Sequence, residues 1–527
     1  MNNLRNFLLI LMLVIAGASC NAKPGAKAAN DITATSSAKL PRSTAAQEGV
    51  DPLAIKAMVD ALMALPKTDL HHLMIVRHGK VIAEAHPAPF AVDEVHTLYS
   101  CSKTFTMLAI GMLIDDGKLR LTDKVVDLLP DKVPKRQSAA LRAMTVKHLL
   151  TMTAGIKPSL TLQQEGDDWA RLWLAQPVTK LGKFQYDSMC TFVLAAIVQR
   201  ITGTKLLDFM NERFFHPLGI TEADWEESPD GINVGGWGLR LTAESMAKAG
   251  VCIMNKGKWD GKQLISAKWL DEAQSKHTNY SKPGKRATDT NQGYCYQMWR
   301  CMQPGAYRAD GAYGQFIVML PEQDMVVVMT GVSHETGREL ACIWNHLIPG
   351  VKNTALPAND KAQGMLADRL ATLSLKMLVG NESNGMRSIT LTLGENARHY
   401  KTMQLDHDGE QRYDITLTSA DGNVQKFPVA IYRWAKVSTA QAPPYNNAVA
   451  PVNVKKIDGL KGDYTVAGNY AWTSNSQLQI KLYWTNWIVA NTFTINLKSD
   501  GTATIVNDEG TPGIAPEVIK ATYKYTK

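Results

Sequence analysis

The sequence predicts an α+β protein in which an antiparallel sheet flanked by helices, with a helical subdomain, precedes a C-terminal all-β domain. Strand-like runs occur near both ends of the first 355 residues, and helical periodicity fills the stretch between them. After Gly380 the composition changes to short strand-like runs separated by turns rich in Gly, Asp and Asn. Because strands and helices do not alternate regularly, a doubly wound sheet is excluded.

The domain organisation follows from these changes along the chain. The 527 residues are enough for two or three hydrophobic cores, and 45% hydrophobic with 20% charged residues is a globular composition. We predict a signal peptide at 1–20, a flexible tether at 21–42, an α+β domain at 43–355, a linker helix at 356–380 and a β-sandwich or barrel-like domain at 381–527. Basic residues are interleaved with acidic ones, so the net charge of +8 does not predict nucleic-acid binding.

The N-terminal residues resemble an export signal. Arg5 precedes an apolar run at 7–15, which is too short to span a bilayer, and small residues then lead to Cys20. A Cys in this place resembles the cleavage box of bacterial lipoproteins, although Gly17 stands where that box usually has Leu. We therefore expect a periplasmic or outer-membrane-anchored bacterial lipoprotein attached through lipidated Cys20, with plain cleavage near Ala18 as the alternative.

The secondary structure of the α+β domain is predicted from periodicity. Residues 73–85 form a hairpin with its turn at 77–80, and an apolar helix at 100–116 is ended by Gly117. Further helices are predicted at 190–201 and 243–255, and further strands at 294–301, 314–320 and 325–330.

The pattern Ser-x-x-Lys is the first chemical signal, and it occurs at Ser36/Lys39, Ser100/Lys103 and Ser245/Lys248. Only context separates these three sites. Ser36 lies in the tether and Ser245 lies inside an amphipathic helix, where a solvated face explains it. Ser100 instead opens a strongly apolar helix, one turn from Lys103 on the same face.

Ser100 and Lys103 have the chemistry of a nucleophile and its base. The N-terminus of a helix favours a developing alkoxide, and a buried Lys can lose its charge and accept the serine proton. A helix-capping Ser beside a surface Lys would produce the same local pattern, so the neighbouring segments decide.

Those segments resemble one family throughout residues 43–345. Residues 99–105, Tyr-Ser-Cys-Ser-Lys-Thr-Phe, are similar to the nucleophile motif of class C β-lactamases and the related penicillin-binding proteins, esterases and 6-aminohexanoate-dimer hydrolases. The segments at 117–125, 146–155, 186–188 and 235–242 are similar to further signatures of that family, in its order. The resemblance implies a β-lactamase/transpeptidase-like fold and an enzyme without a cofactor or a metal.

The resemblance also implies the roles of individual residues. Ser100 attacks a carbonyl, while Lys103 and Tyr186 move the protons, with Tyr186 acting either as a phenolate or as a hydrogen-bond relay. The backbone N–H groups of Ser100 and Ala312 form the oxyanion hole, and Gly311 lets the backbone approach closely. Ser188 binds the substrate, at the position of an Asn that commonly helps to hold the substrate amide or the lysine.

Two departures from the family pattern concern the substrate. Ser188 replaces the usual Asn of Tyr-x-Asn and keeps a donor and an acceptor on a shorter arm. Ala309-Asp310-Gly311 stands where the family has Lys-Thr-Gly or His-x-Gly, so the cation that would hold a β-lactam carboxylate is missing. Arg308 is expected on the opposite face of this strand. Asp310 and Gly311 remain candidate substrate contacts, and β-lactams are disfavoured.

Aromatic and histidine residues give weaker signals. Trp169 and Trp173 are spaced for one helix face, and we expect them to shape the substrate pocket, with core packing as an equal alternative. His71 and His72 are expected on opposite faces of a strand rather than as a metal site.

The sequence thus predicts a serine hydrolase that cleaves a small-molecule ester or amide through a Ser100 acyl-enzyme. Three alternatives stay open: an acyltransferase to a small hydroxylated acceptor, a β-lactamase, and a non-catalytic acyl-binding sensor. The sequence carries no signal for an oligomeric state.

Overall fold

The computed structural model describes residues 39–159, 162–279, 288–382, 385, 387–409, 411–443, 457–510 and 515–526. The predicted signal peptide, Cys20 and the predicted tether up to residue 38 lie outside the described residues. The last residues of that tether contact the α+β domain. The Leu40 N–H donates to Glu244 Oε1 at 2.5 Å, and Arg42 forms ion pairs with Glu84 and Glu244.

Among the described residues, eleven strands belong to the α+β domain. They are β1 (Thr68–Arg77), β2 (Lys80–Ala85), β3 (His96–Thr97), β4 (Asp224–Trp225), β5 (Leu239–Leu241), β6 (Lys258–Trp259), β7 (Lys262–Gln263), β8 (Trp299–Arg300), β9 (Tyr307–Gly311), β10 (Gln315–Leu320) and β11 (Met325–Ser333).

The helices lie before, between and after these strands. They are α1 (Pro52–Met63), α2 (Ser102–Asp115), α3 (Val125–Leu128), α4 (Ala139–Ala143), α5 (Val146–Leu150), α6 (Trp169–Leu174), α7 (Ser188–Thr202), α8 (Leu206–Met210), α9 (Ala243–Met254), α10 (Ala267–Gln274), α11 (Thr336–Cys342) and α12 (Asp360–Ala371). Short 3₁₀ or π turns occur at Tyr99–Cys101, Leu162–Gln164, Asn211–Phe215, His216–Leu218, Pro321–Gln323, Ile343–Leu347 and Ile348–Gly350.

The central sheet has six strands in the order β2-β1-β11-β10-β9-β8, and every neighbouring pair is antiparallel. One face packs against α1 and α11, and the other face packs against α9 and the helical subdomain, which is formed by α2–α8 and α10. The predicted α+β fold is confirmed, and so is the hairpin of β1 and β2. Strands β10 and β11 are almost continuously apolar because helices cover both faces of the sheet at its centre.

Two predicted elements differ in extent. Helix α2 begins at Ser102 rather than at Ser100, because the Tyr99–Cys101 segment forms a 3₁₀ turn first. The predicted strand at 294–301 shrinks to Trp299–Arg300. Gln297 has φ of 55° and bonds through its side-chain amide to the carbonyls of Leu149 and Leu150, so tertiary contacts with the helical subdomain override the strand pattern.

In the part that the structure describes, the C-terminal domain is a closed barrel of ten strands. They are β12 (Ser388–Leu393), β13 (Tyr400–His407), β14 (Arg412–Ser419), β15 (Val424–Ala430), β16 (Ala435–Thr439), β17 (Tyr464–Ser474), β18 (Gln477–Trp484), β19 (Ala490–Leu497), β20 (Thr502–Asp508) and β21 (Glu517–Thr526).

The barrel strands follow the order β15-β14-β13-β12-β21-β20-β19-β18-β17-β16, and β15 also pairs with β17 to close the barrel. Every second residue of β14, β18, β19 and β20 is buried, as a barrel interior requires. Asn469 supports the closure, because its amide donates to the Ala430 carbonyl and accepts from the Leu378 N–H.

The barrel is bonded to the α+β domain beside β3. The Thr97 N–H donates to the Asn486 carbonyl at 3.0 Å, and the Thr485 hydroxyl bonds to Glu94. A buried ion pair joins Arg240 to Asp224, and both side chains also bond to the backbone of Lys461. These contacts fix the chain segment that leads into Ser100.

Within the described residues, no single helix has the length and hydropathy of a membrane span. Only Ser188–Thr202 and Leu206–Leu218 reach that length as a pair, and the two are bent by 74°.

Candidate active site

The candidate site is a cavity of about 250 Å³ beside strands β8 and β9, at one edge of the central sheet. Predicted catalytic and substrate residues meet here with residues that the sequence did not indicate. The cavity is lined by Ser100, Tyr186, Thr290, Trp299, Arg308, Asp310, Ala312 and Thr336.

Ser100 lies in the 3₁₀ turn that precedes α2, so its hydroxyl is held at the mouth of a buried helix. Tyr99 before it adopts a left-handed φ of 46°, which costs a bulky residue on the order of 1–2 kcal/mol. The Tyr99 ring is 3% exposed and packs edge-on against Tyr313 and Trp487, and this packing offsets the strain. The turn therefore depends on contacts outside α2.

Lys103 is one turn further along and is 1% exposed. Its Nζ lies 2.9 Å from Ser100 Oγ, 3.0 Å from Ser188 Oγ and 2.6 Å from the carbonyl of Gly236. Burial lowers the pKa of Lys103 to about 7, so a large fraction of this amine is neutral near neutral pH. A neutral amine at this distance can accept a proton from Ser100.

Tyr186 completes the group around Ser100. Its hydroxyl is hydrogen bonded to Ser100, and Lys103 Nζ lies 5.0 Å from the centroid of its ring. Burial raises the pKa of Tyr186 well above its ordinary value, so the phenol stays protonated. Of the two roles that the sequence left open, the hydrogen-bonded relay fits this environment and a resting phenolate does not.

Asp187 positions the segment that carries Tyr186 and Ser188. One carboxylate oxygen caps α7 by accepting the Met189 N–H at 2.9 Å, and the other accepts the Trp173 indole N–H at 2.8 Å. Asp187 was not among the predicted site residues. An Asp directly before a helix is a capping signal that would have indicated its role.

Trp169 and Trp173 do not line the cavity, which corrects the prediction that they shape the substrate pocket. They are 2% and 1% exposed and belong to the core of the helical subdomain. Trp169 stacks on Trp237 at 6.2 Å, and Trp173 bonds to Asp187. Their helical spacing predicted that both rings lie on one helix face. Core packing, the second of the two predicted alternatives, explains why that face is buried.

The end of β9 brings Ala312 to the cavity. A Cβ on Gly311 would lie 2.3 Å from the Leu98 carbonyl, so only glycine lets β9 approach the chain before Ser100 so closely. Gly311 thus contacts the protein backbone and does not line the cavity, which corrects the prediction that it is a substrate contact. Ala312 and Ser100 both line the cavity, as an oxyanion hole built from their N–H groups requires.

Gln315 holds the loop after β9, and sequence reasoning missed it. Its buried side chain donates to the carbonyls of Ala312 and Gly331 at 3.0 and 2.8 Å, and accepts from the Gly331 N–H at 3.1 Å. Glu339 lies behind the same loop, where burial raises its carboxyl pKa to about 8. These groups fix the position of Ala312.

Arg308 and Asp310 share one face of β9, and both line the cavity. Arg308 Nε donates to Asp310 Oδ2 at 2.7 Å. Arg308 was expected to point away from the site. It lies on the same face as Asp310 because residues two apart in a strand do so, and the short strand β8 leaves that face open to the cavity.

His71 and His72 are both buried, and each bonds to another histidine. His71 Nδ1 lies 2.8 Å from His96 Nε2, and His72 Nδ1 lies 2.8 Å from His86 Nδ1. Burial lowers the pKa of both His71 and His72 well below the ordinary value. In the part of the chain that the structure describes, no cluster of three or more His, Cys, Asp or Glu residues is arranged to hold a metal ion.

The sequence around this site matches the model of a known family. The family model described as Beta-lactamase matches residues 55–344, which is more than half of the chain and contains every residue of the cavity. The chain belongs to the beta-lactamase family. It is an enzyme, a serine hydrolase of this family, and its α+β domain has the β-lactamase/transpeptidase-like fold, to which the C-terminal barrel is added.

Two curated proteins with different names are similar to this beta-lactamase family protein. It is 25% identical over 311 residues to 6-aminohexanoate-dimer hydrolase of Paenarthrobacter ureafaciens, which covers 53% of this chain and 76% of that protein. It is 28% identical over 172 residues to penicillin-binding protein 4 of Amycolatopsis lactamdurans, covering 31% of this chain and 43% of the relative. This chain therefore spans less than half of the second protein.

A solved structure of a penicillin-binding protein homologue from Caulobacter crescentus is also similar. The two chains are 17% identical, and the match covers 57% of this chain and 99% of that one with a TM-score of 0.47.

Proposed function

We propose that this protein cleaves an ester or amide of a small molecule through an acyl-enzyme on Ser100. The observation that carries the proposal is the position of the Lys103 amine, 2.9 Å from Ser100 Oγ at the wall of a cavity. A Ser hydroxyl is a weak nucleophile at its ordinary pKa and needs an adjacent base. Burial of Lys103 lowers its pKa enough to supply that base near neutral pH.

Acylation begins with the neutral amine of Lys103. As Ser100 Oγ forms its bond to the carbonyl carbon, its proton passes to Lys103 Nζ and the carbonyl electron pair moves to oxygen. The backbone N–H groups of Ser100 and Ala312 would donate to that oxyanion, whose charge is stabilised by donors already in place.

Expulsion of the leaving group requires that the proton taken from Ser100 be donated to the leaving group. The Lys103 ammonium can return it through the Tyr186 hydroxyl, which is hydrogen bonded to Ser100 and remains protonated. The bond from the carbonyl carbon to the leaving group then breaks, and the leaving group departs as a neutral alcohol or amine. Water repeats the sequence on the acyl-enzyme and releases the acid.

Ser188 and Gly236 hold the base during both steps. Lys103 bonds to Ser188 Oγ and to the Gly236 carbonyl as well as to Ser100, so its amine is fixed in position. A Cβ on Gly236 would lie 2.7 Å from the Ser188 carbonyl, so this close backbone contact depends on glycine. Ser188 thus keeps, with its shorter side chain, a contact to the lysine.

A fluorophosphonate probe tests the proposal, because it labels a serine only where that serine is activated. We expect labelling of the wild-type protein, loss of labelling in Ser100→Ala, and intact labelling in Ser245→Ala. Ser245 is the matched control, since it also precedes a lysine by three residues but is absent from the cavity. Equal labelling of the wild type and Ser100→Ala would overturn the assignment.

Intact mass measurement identifies the fate of the acyl group. A pool of esters and amides should add one acyl mass to the protein, and that mass should be located on Ser100. Decay of the adduct in water gives the acid, whereas faster decay in added alcohol with ester formation would reveal acyl transfer.

A further inference from the structure

The ion pair of Arg308 and Asp310 presents only one of its charges to the cavity. The Arg308 side chain is 1% exposed, whereas the Asp310 side chain is 25% exposed. Arg308 is covered because its guanidinium also donates to the Arg300 carbonyl and lies against Cys301 Sγ. Asp310 bonds to Arg308 through Oδ2, and its carboxylate therefore forms the charged part of the cavity surface.

The remaining walls of the cavity contain no exposed cation among the residues that the structure describes there. Lys103 is 1% exposed, and burial lowers its pKa. Thr290 and Thr336 contribute hydroxyl groups. Tyr186 and Trp299 contribute aromatic rings, 5.6 Å apart at an angle of 30°.

We propose that the cavity selects esters and amides that carry an ammonium or other cationic group, and that it discriminates against substrates that carry a carboxylate. This inference rests on the proposed function. Asp310 attracts a cation directly, and a cation that reaches a ring face of Tyr186 or Trp299 in the same cavity gains a further attraction from the π electrons. A substrate carboxylate would face Asp310 as a like charge, with Arg308 already paired and covered.

The charge preference can be measured with two matched series of substrates. One series varies the leaving group: acetylthiocholine, S-(3,3-dimethylbutyl) thioacetate and S-acetyl-3-mercaptopropionate. The other varies the acyl chain of 4-nitrophenyl esters: 4-trimethylammoniobutyrate, 5,5-dimethylhexanoate and the glutarate monoester. In at least one series, we expect kcat/KM at low ionic strength to be about tenfold higher for the cation than for the neutral ester, and lowest for the anion.

Variants at the pair identify Asp310 as the origin of the preference. The ratio of cationic to neutral kcat/KM should fall to about one in Asp310→Asn and should persist in Asp310→Glu. Because Asp310→Asn leaves Arg308 buried without its ion-pair partner, the double variant Arg308→Gln/Asp310→Asn provides the same test with both charges removed. Added salt should also reduce the wild-type ratio.

The outcomes separate this inference from the proposed function. A protein that is labelled on Ser100 and cleaves the neutral esters, but prefers no cation in either series, retains its proposed function and loses this inference. A cation preference that survives in both Asp310→Asn and the double variant would also overturn it. Failure of the fluorophosphonate to label Ser100 would overturn the proposed function as well.

Discussion

Trp487 of the barrel packs against Tyr99, the residue directly before Ser100, with ring centroids 6.5 Å apart at an angle of 61°. Tyr99 also packs at 5.7 Å against Tyr313, the residue directly after Ala312. Both Tyr99 and Tyr313 adopt left-handed φ angles, 46° and 65°. One aromatic cluster thus supports the backbone at both proposed oxyanion donors, and one of its members comes from the barrel.

We expect Trp487→Ala to lower the rate of Ser100 labelling by about tenfold. Removing a fully buried Trp also lowers the free energy of unfolding by about 3–5 kcal/mol. The measurement is the second-order rate constant for fluorophosphonate labelling, taken at a temperature where the variant is folded by circular dichroism.

Trp472→Ala is the matched control. Trp472 is also buried in the barrel core, but its ring is not one of the two described above that pack against Tyr99. It should lose similar stability and label at the wild-type rate, and Trp487→Phe should restore most of the labelling. Equal slowing in Trp472→Ala and Trp487→Ala would indicate a general loss of stability instead of support for Tyr99.

The pH dependence of turnover should report the Lys103 amine. Since the neutral form acts as the base and burial lowers its pKa to about 7, kcat/KM should rise with pH and level off above about 7. The raised pKa of Tyr186 predicts no fall from that residue in the range where the protein is stable.

Lys103→Ala should reduce kcat/KM by roughly a thousandfold or more and abolish this acid limb. Stopped-flow or steady-state assays from pH 5 to about 9.5 would measure it. An acid limb that persists unchanged in the residual activity of Lys103→Ala would assign the titration to a different group.

Gln315→Ala should lower kcat by about tenfold with little change in KM, because the loop that carries Ala312 loses its buried hydrogen bonds. The free energy of unfolding should fall by about 1–3 kcal/mol. Gln297→Ala is a suitable control, since Gln297 is similarly buried and donates to the carbonyls of Leu149 and Leu150 outside the cavity. A matching fall in kcat for Gln297→Ala would contradict a specific effect on the oxyanion hole.

Lipidation of Cys20 stays a prediction from the sequence. Cells fed an alkyne-tagged fatty acid should incorporate the tag into the full-length protein, and Cys20→Ser should prevent it. A wild-type protein that is exported without the tag would favour plain cleavage near Ala18.

The sequence predicted the residues that meet at the cavity because their motifs stand in an order typical of the family. Ser100, Lys103, Tyr186 and Ser188 come together around one amine, although each motif alone carries little information. Short strand-like runs between turns likewise predicted the strands of the barrel, and nearly continuous apolar runs predicted β10 and β11 of the sheet. Local sequence patterns were sufficient to predict a helix or strand wherever one of its faces is apolar and packs in a core.

Contacts between residues that are far apart in the sequence could not be predicted from local patterns. Helical spacing could not distinguish a pocket role for Trp169 and Trp173 from their observed burial, because both place the rings on one face. Trp487 carries no local sign that it packs beside Tyr99, since the two residues meet only after the barrel has closed and docked. The same holds for Gln315, whose partners on two strands are set by the register of the sheet.

The aromatic side chain of Tyr99 belongs to the hydrophobic cluster of the barrel, although its backbone belongs to the other domain. A truncated enzyme that stopped before residue 381 would expose to water the side of this ring that Trp487 covers, and would release the hydrogen bond from the Thr97 N–H to the Asn486 carbonyl. Protein engineers who want a minimal catalyst, or a chimaera with a different appendage, would have to retain the β18–β19 connection or rebuild an equivalent cover for that ring.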